Sequence, residues 1–250
     1  MDYKKLLSND YFILFLLLLL WYCIFRFSGT FVQGYNIYED NLIVSTHQEL
    51  RTNSVLNVFK DLVHIDIVVR ARFRPVFSFH LAMLVKLLGF NLTAYMIYFA
   101  ILGTLTSFAL YKFFSLAEFT KLQSLLFSLL TLFGPAILLW AEILDAENIG
   151  VPLLSLSLYF LAKSIFSESH NLIYKRLFVI SLILTAMSKE SFVIVIPAIL
   201  YFYLWIYSLK NHSTILNALK KNIITILVPV FFLMVNIFLI IKLVGINNQK

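Results

Sequence analysis

Charged residues are scarce in this chain of 250 residues, because Asp, Glu, Lys and Arg together make up only 13% of it. A soluble globular chain carries about 25% charged and about 45–50% apolar residues. Here the hydrophobic fraction is 61% and the mean hydropathy is +0.89, so the polar groups are too few to cover a core in water. This composition excludes a water-soluble enzyme, a disordered region and a nucleic-acid-binding domain.

Cysteine is nearly absent too. The single Cys23 lies inside the first apolar run, so the chain can form neither an intrachain disulfide nor a zinc cluster. No Gly-rich phosphate loop, nucleophile elbow or metalloprotease motif occurs. Any chemistry therefore has to come from charged side chains placed between apolar segments.

Long apolar runs dominate the chain, and a helix needs about 20 such residues to cross a bilayer. No small-residue cleavage site follows the first run, which indicates an uncleaved span rather than a signal peptide. We predict an all-α, polytopic membrane protein, with residues 1–250 as one transmembrane module. Its seven candidate spans are residues 11–27, 93–112, 122–140, 149–166, 176–188, 191–208 and 222–242.

Lysine and arginine predict the orientation of these spans. With a cytoplasmic N-terminus, the cytoplasmic segments hold ten basic residues, whereas the short outer loop 141–149 holds three acids and no base. The net charge of +7 is thus a topology signal and does not indicate nucleic-acid binding. We expect a bacterial inner membrane, although an endoplasmic reticulum membrane satisfies the same charge rule.

Two short apolar stretches require separate interpretation. Residues 75–90 are too few to cross the bilayer easily, and a crossing there would invert every later loop, so we predict a helix in the outer interface. Residues 29–92 then form the first extracytoplasmic loop, with an amphipathic helix near 55–67. We expect the stretch 176–208 to break at 188–190 into a hairpin.

Two charged groups in the first loop could carry chemistry. Glu39 and Asp40 follow the first span, and they are either solvated or present a general base at the membrane surface. Arg70, Arg72 and Arg74 alternate, which in an extended segment would place all three on one side. They either bind lipid head groups or clamp one phosphate.

Two further charged groups lie near the later spans. Lys189 and Glu190 at the hairpin tip either pair with each other or serve a site, with Lys189 meeting a phosphate and Glu190 orienting it or binding acceptor. The acids of the outer loop, Glu142, Asp145 and Glu147, are solvated, or they bind a sugar hydroxyl or a divalent cation. No metal-ligand spacing is diagnostic, so we assign no metal ligands, and the acids permit a divalent cation without requiring one.

The order of these features resembles the GT-C class of integral membrane glycosyltransferases, and protein O-mannosyltransferase-like members in particular. The matching stretches are Tyr-Glu-Asp at 38–40, Arg-Pro at 74–75 with the run to Tyr95, and Ser-Lys-Glu at 188–190 with Pro197 beyond. The resemblance implies transfer of a sugar from a polyprenyl-phosphate carrier in the membrane lipid to an acceptor on the outer face.

The resemblance also implies roles for the charged residues. Asp40 would deprotonate the acceptor hydroxyl, and Glu39 would hold the acceptor or tune Asp40. The departing lipid phosphate would be neutralised by Arg72, Arg74 and Lys189. Acceptor binding would be supported by Glu142, Asp145 and Glu190. Among its departures from the class, the acidic motif is Glu-Asp rather than two aspartates, and no arginine lies near Asp145.

Two other functions stay open at this point. A lipid-carrier flippase or transporter would need polar or broken spans at mid-membrane, and the spans here are mostly Leu, Phe and Ile. A non-catalytic subunit of a glycan-assembly complex would copurify with a larger membrane protein and be inert alone. The short length of the chain favours this second alternative.

Overall fold

The computed structural model describes residues 9–27, 40–70, 72–130, 146–167 and 171–244, which are helical and contain no strand. The helices of these ranges are α1 (Asp10–Phe27), α2 (Asp40–Thr52), α3 (Val55–Val68), α4 (Pro75–Leu88), α5 (Leu92–Leu116), α6 (Lys121–Leu130), α7 (Glu147–Phe166), α8 (Asn171–Ala186), α9 (Val195–Lys210), α10 (Ile215–Lys221) and α11 (Ile223–Leu239). A 3₁₀ helix, Glu190–Ile194, precedes α9, and a π-helical turn, Ile240–Val244, follows α11.

Five of the seven predicted spans are long and apolar enough in the described ranges to cross a membrane, which confirms an all-α polytopic protein. Of the predicted span 122–140, only the part within α6 is described. The predicted span 176–188 is α8, a helix of 16 residues. At about 1.5 Å per residue it rises about 24 Å, short of a hydrocarbon core of about 30 Å. The chain breaks after α8, as predicted.

Polar contacts join helix termini at one end of the bundle, which we call the Asp10 end. Lys112 Nζ lies 2.7 Å from Asp10 Oδ2, so α5 ends beside the start of α1. Lys175 Nζ donates to Asn222 Oδ1 at 2.8 Å, which joins the starts of α8 and α11. The opposite end, where α1 and α8 end and α5, α7 and α9 begin, is the Arg74 end.

The buried apolar side chains form two main cores. The first packs the end of α1 and the start of α5 against α2, α3 and α4, with Trp21 and Phe77 among its largest members. The second packs α7 through α11 around Phe178 and Tyr203. A Cβ added at Gly103 would lie 2.5 Å from the Trp21 ring, so a glycine is required for α1 and α5 to approach this closely.

The amphipathic helix predicted near 55–67 is confirmed as α3, and Ser54 caps it by accepting a hydrogen bond from the Asn57 N–H. Its register differs from the apolar pattern. The buried stripe is Val58, Leu62 and Asp66, whereas Leu56 is exposed. The packing of α3 against α4 therefore includes a carboxylate, which a search for apolar spacing cannot find.

The short helix predicted within 75–90 is α4, whose first residue is Pro75. Proline suits this position because the first helical residues need no intrahelical N–H donor. The helix ends at Leu88 and is followed by Gly89, where φ is +56°, a backbone conformation that glycine adopts without steric cost. Between them the helix has 14 residues, in agreement with a segment too short to span.

Candidate functional site

A buried carboxylate organises the Arg74 end. Asp66 Oδ1 accepts hydrogen bonds from Arg70 Nη1 at 3.1 Å and Arg74 Nη2 at 2.9 Å, and Oδ2 accepts one from Ser78 Oγ at 3.0 Å. Asp66 is 2% exposed and Arg74 is 5% exposed. A buried charge is tolerated only when it is paired and hydrogen-bonded, so this carboxylate holds the Arg74 guanidinium in one place.

The local backbone explains why Arg74 reaches Asp66. After α3 ends, the Arg72 N–H donates to the Asp66 carbonyl at 2.8 Å. This hydrogen bond turns the chain back toward the end of α3. Arg74 then precedes Pro75 with φ −133° and ψ 57°, outside the helical region that proline disfavours in the residue before it. Its guanidinium lies 4.6 Å from the centroid of the Phe77 ring, which packs the charge against an apolar face.

This group is electropositive. Two guanidinium groups, those of Arg70 and Arg74, share the single Asp66 carboxylate. Arg74 Nε is buried without a hydrogen-bond partner among the described residues. A buried N–H donor in this state costs free energy, so it favours an anionic or polar ligand that would accept from it.

The segment around Arg74 is tied to the hairpin between α8 and α9. The Phe73 N–H donates to Glu190 Oε1 at 2.6 Å, a contact between residues 117 positions apart. The Val76 N–H donates to the Met187 carbonyl at 3.1 Å. These two hydrogen bonds connect the first apolar core to the second at the Arg74 end.

Lys189 lies in the same hairpin and forms an ion pair with Glu147 in the first turn of α7. A carboxylate is favourable there because the helix N-terminus carries a partial positive charge. Both side chains are largely buried, with 23% of the Lys189 side chain and 15% of the Glu147 side chain exposed. The hairpin can approach α7 because Gly150 is there; a Cβ would lie 2.6 Å from Ser188 Oγ.

The structure brings together three of the residues singled out from the sequence, namely Arg74, Lys189 and Glu190. Arg72 is exposed beside them. Asp40 is the first residue of α2, but its side chain lies outside the described residues. Also outside the described residues are Glu39, Glu142 and Asp145.

Two expectations about these charges need correction. The three arginines do not act as one row, because Arg70 and Arg74 converge on Asp66 whereas Arg72 is exposed. The pairing considered for Lys189 with Glu190 is replaced by the ion pair of Lys189 with Glu147. Asp66 lies only four residues before Arg70, whereas the carboxylate that pairs with Lys189 comes from another helix, which local spacing does not reveal.

The sequence indicated no role for Asp66 or Ser78, and it placed Glu147 in an acidic outer loop, whereas the structure places Glu147 in the first turn of α7. A signal existed for the first: Asp66 follows Val58 and Leu62 at intervals of four, which is the spacing of one helix face. Ser78 follows Arg74 by one helical turn and also donates to the Arg74 carbonyl at 3.1 Å. Glu147 offered no comparable local signal, because its partner is 42 positions away.

A second polar pair lies on α4. His80 Nε2 is 2.6 Å from the Tyr98 hydroxyl oxygen, and burial lowers the pKa of His80 to about 4. The imidazole is therefore neutral near pH 7, and it joins α4 to α5 by a neutral hydrogen bond. Within the described ranges, no group of three or more His, Cys, Asp or Glu residues is placed to hold a metal ion.

Replacing the buried carboxylate tests its structural role. We expect Asp66→Asn to lower the free energy of unfolding by about 3–5 kcal/mol, because it leaves the buried Arg74 charge unpaired. Asp61→Asn, on the exposed face of the same helix, should change it by less than about 0.5 kcal/mol. Thermal unfolding of the purified chains in detergent measures both, and equal unfolding temperatures for the two variants would contradict this role.

The comparison with protein families covers part of this site, and Asp66, Arg70 and Arg72 precede the matched residues. The family model for dolichyl-phosphate-mannose-protein mannosyltransferase matches residues 73–241, more than half of the chain. The match begins at Phe73, which donates to Glu190, and it includes Arg74 and the Lys189 hairpin. No curated protein and no solved structure matches the chain. The predicted likeness to GT-C membrane glycosyltransferases is confirmed, and the chain belongs to the dolichyl-phosphate-mannose-protein mannosyltransferase family.

Proposed function

We propose that the chain transfers a sugar from a polyprenyl-phosphate-linked donor to an acceptor hydroxyl on the extracytoplasmic face, with Asp40 as general base. Membership of the family supports glycosyl transfer from such a donor at a coarse level. The observation that carries the proposal is the junction at the Arg74 end. There, the hydrogen bond from Phe73 to Glu190 brings Arg74 and Lys189 to one region.

The cations suit a leaving phosphate. When the bond between the sugar and the carrier phosphate breaks, its electron pair stays on a phosphate oxygen and negative charge develops there. A cation that is already held in place stabilises this charge without reorganisation at the moment of reaction. Arg74 is held by Asp66, and Lys189 is held by Glu147.

Arg72 supplies the exposed member of this donor-phosphate set. The arginines two positions before and after Arg72 are fixed, because Arg70 and Arg74 donate hydrogen bonds to Asp66. The side chain of Arg72 is exposed and has no carboxylate partner among the described residues. In the proposal it reaches the phosphate from the aqueous side, where its planar fork matches phosphate oxygens.

Asp40 completes the proposed chemistry. Its carboxylate accepts the proton from the acceptor hydroxyl as that oxygen forms the new bond to the anomeric carbon. Glu39 binds acceptor or tunes Asp40, and acceptor binding is further supported by Glu142, Asp145 and Glu190. The helix that begins at Asp40 is anchored, because Ile43 and Leu50 are buried in the first core with Phe77 of α4.

Removing the proposed base should abolish turnover without unfolding the chain. We expect Asp40→Asn to lower the rate of sugar transfer by about 100-fold or more, the usual range for loss of a general base. The assay uses radiolabelled polyprenyl-phosphate-hexoses and membranes with matched expression, and Asp61→Asn is the control for loss of an acid elsewhere.

Full activity of Asp40→Asn would contradict the assignment of the base. Absence of turnover by the folded wild-type chain with every donor would contradict the proposed function itself, and it would favour the non-catalytic subunit.

The exposed arginine offers a test that leaves the buried ion pairs intact. We expect Arg72→Gln to raise the KM for the lipid-linked donor by about tenfold, because a charge-assisted hydrogen bond to phosphate is lost. Lys60→Gln, which removes an exposed positive charge on α3, should leave KM unchanged. Steady-state kinetics across donor concentrations measures both, and an equal KM in the two variants would remove Arg72 from the donor site.

A further inference from the structure

A cavity of about 540 Å³ lies between α8 and α11 at the Asp10 end. One wall is a stripe of α8 at helical spacing, which includes Leu172, Val179 and Ile180. The other wall is the first turns of α11, which include Ile224 and Val228. Several of these side chains are both apolar and exposed. The cavity therefore presents an apolar surface that no described residue covers.

Three cations line the same cavity: Lys175, Arg176 and Lys221. Lys175 is fixed, since its Nζ donates to Asn222 Oδ1 at 2.8 Å and Asn222 is 2% exposed. Arg176 and Lys221 are exposed, and within the described ranges neither has a carboxylate partner. The lining residues include no acid, so the cavity attracts an anion.

The backbone adds to this attraction. The first residues of α11 line the cavity, and no side chain caps that terminus. The N-terminus of a helix carries a partial positive charge and unpaired N–H groups, which favour a phosphate nearby. The cations and the helix terminus therefore surround the polar side of a cavity whose remaining walls are apolar.

We propose that this cavity binds one anionic phospholipid, with its phosphate among Lys175, Arg176 and Lys221 and an acyl chain between α8 and α11. The basic cluster complements the negative charge of such a lipid, and the apolar walls complement its acyl chain. Basic pockets between membrane helices attract anionic head groups in this way. Binding would stabilise the contact between the starts of the two helices.

This lipid site is separate from the proposed donor site. The cations at 175–176 begin α8, whereas Met187 and Lys189 follow its end. The 12 residues from Lys175 to Met187 place the two sites about 18 Å apart along the axis of α8, at about 1.5 Å per residue. The lipid proposed here is therefore a component of the bilayer around the chain, and its binding does not depend on sugar transfer.

The test uses the full chain purified in neutral detergent micelles, with its unfolding temperature followed as phosphatidylglycerol or phosphatidylcholine is added. We expect phosphatidylglycerol to raise the unfolding temperature and phosphatidylcholine to have little effect. In the double variant Arg176→Gln/Lys221→Gln, the apparent affinity for phosphatidylglycerol should fall by about 30-fold. Lys220→Gln removes the adjacent exposed charge, which does not line the cavity, and should respond as the wild type does.

Three results would overturn the proposal. An equal response of the double variant and the wild type would mean that micelle charge acts non-specifically. An equal loss of affinity for phosphatidylglycerol in Lys220→Gln would also mean that micelle charge acts non-specifically. Stabilisation by inorganic phosphate alone, to the extent seen with phosphatidylglycerol, would identify a phosphate site rather than a lipid site.

A second variant guards against altered folding. Val179→Trp keeps all three cations and fills the apolar wall, so it should weaken binding of phosphatidylglycerol although the charge is unchanged. If it binds as tightly as the wild type, the acyl chain does not occupy the cavity and the proposal fails.

Discussion

The buried carboxylate of Asp66 is the interaction on which the Arg74 end depends. An unpaired charge in an apolar core costs several kcal/mol, so α3, α4 and the turn between them must bring Arg74 and Ser78 to it. The same turn fixes Phe73, whose N–H reaches Glu190 in the second half of the chain. One ion pair thus sets the backbone that joins the two apolar cores.

This arrangement separates the charges that build the site from those available to a ligand. The acids Asp66, Glu147 and Glu190 hold Arg74, Lys189 and the Phe73 backbone, and so keep the cations in place before any donor binds. Electrostatic stabilisation is strongest when the charges are preorganised and partly shielded from water. A lipid-linked donor stays in the bilayer. Its phosphate can therefore contact cations that lie at one end of the helical bundle.

The sequence predicted the long helices well, because apolar runs of about 20 residues have few other structures available in a bilayer. It also predicted the break at 188–190, where charge interrupts such a run. It missed the Asp66 cluster because an acid occupies the third position of the stripe Val58, Leu62 and Asp66. It missed Glu147 as the partner of Lys189 because only the packing of α7 against the hairpin brings them together.

We propose that the donor phosphate binds at the Arg74 end, and photo-crosslinking measures this most directly. A polyprenyl phosphate with a photoreactive group beside the phosphate would be irradiated with the purified chain, and the labelled peptides identified by mass spectrometry. We expect label in peptides containing 72–76 and 187–190, with labelling reduced by excess unmodified donor. Label confined to 172–176 and 221–228, at the Asp10 end, would contradict it.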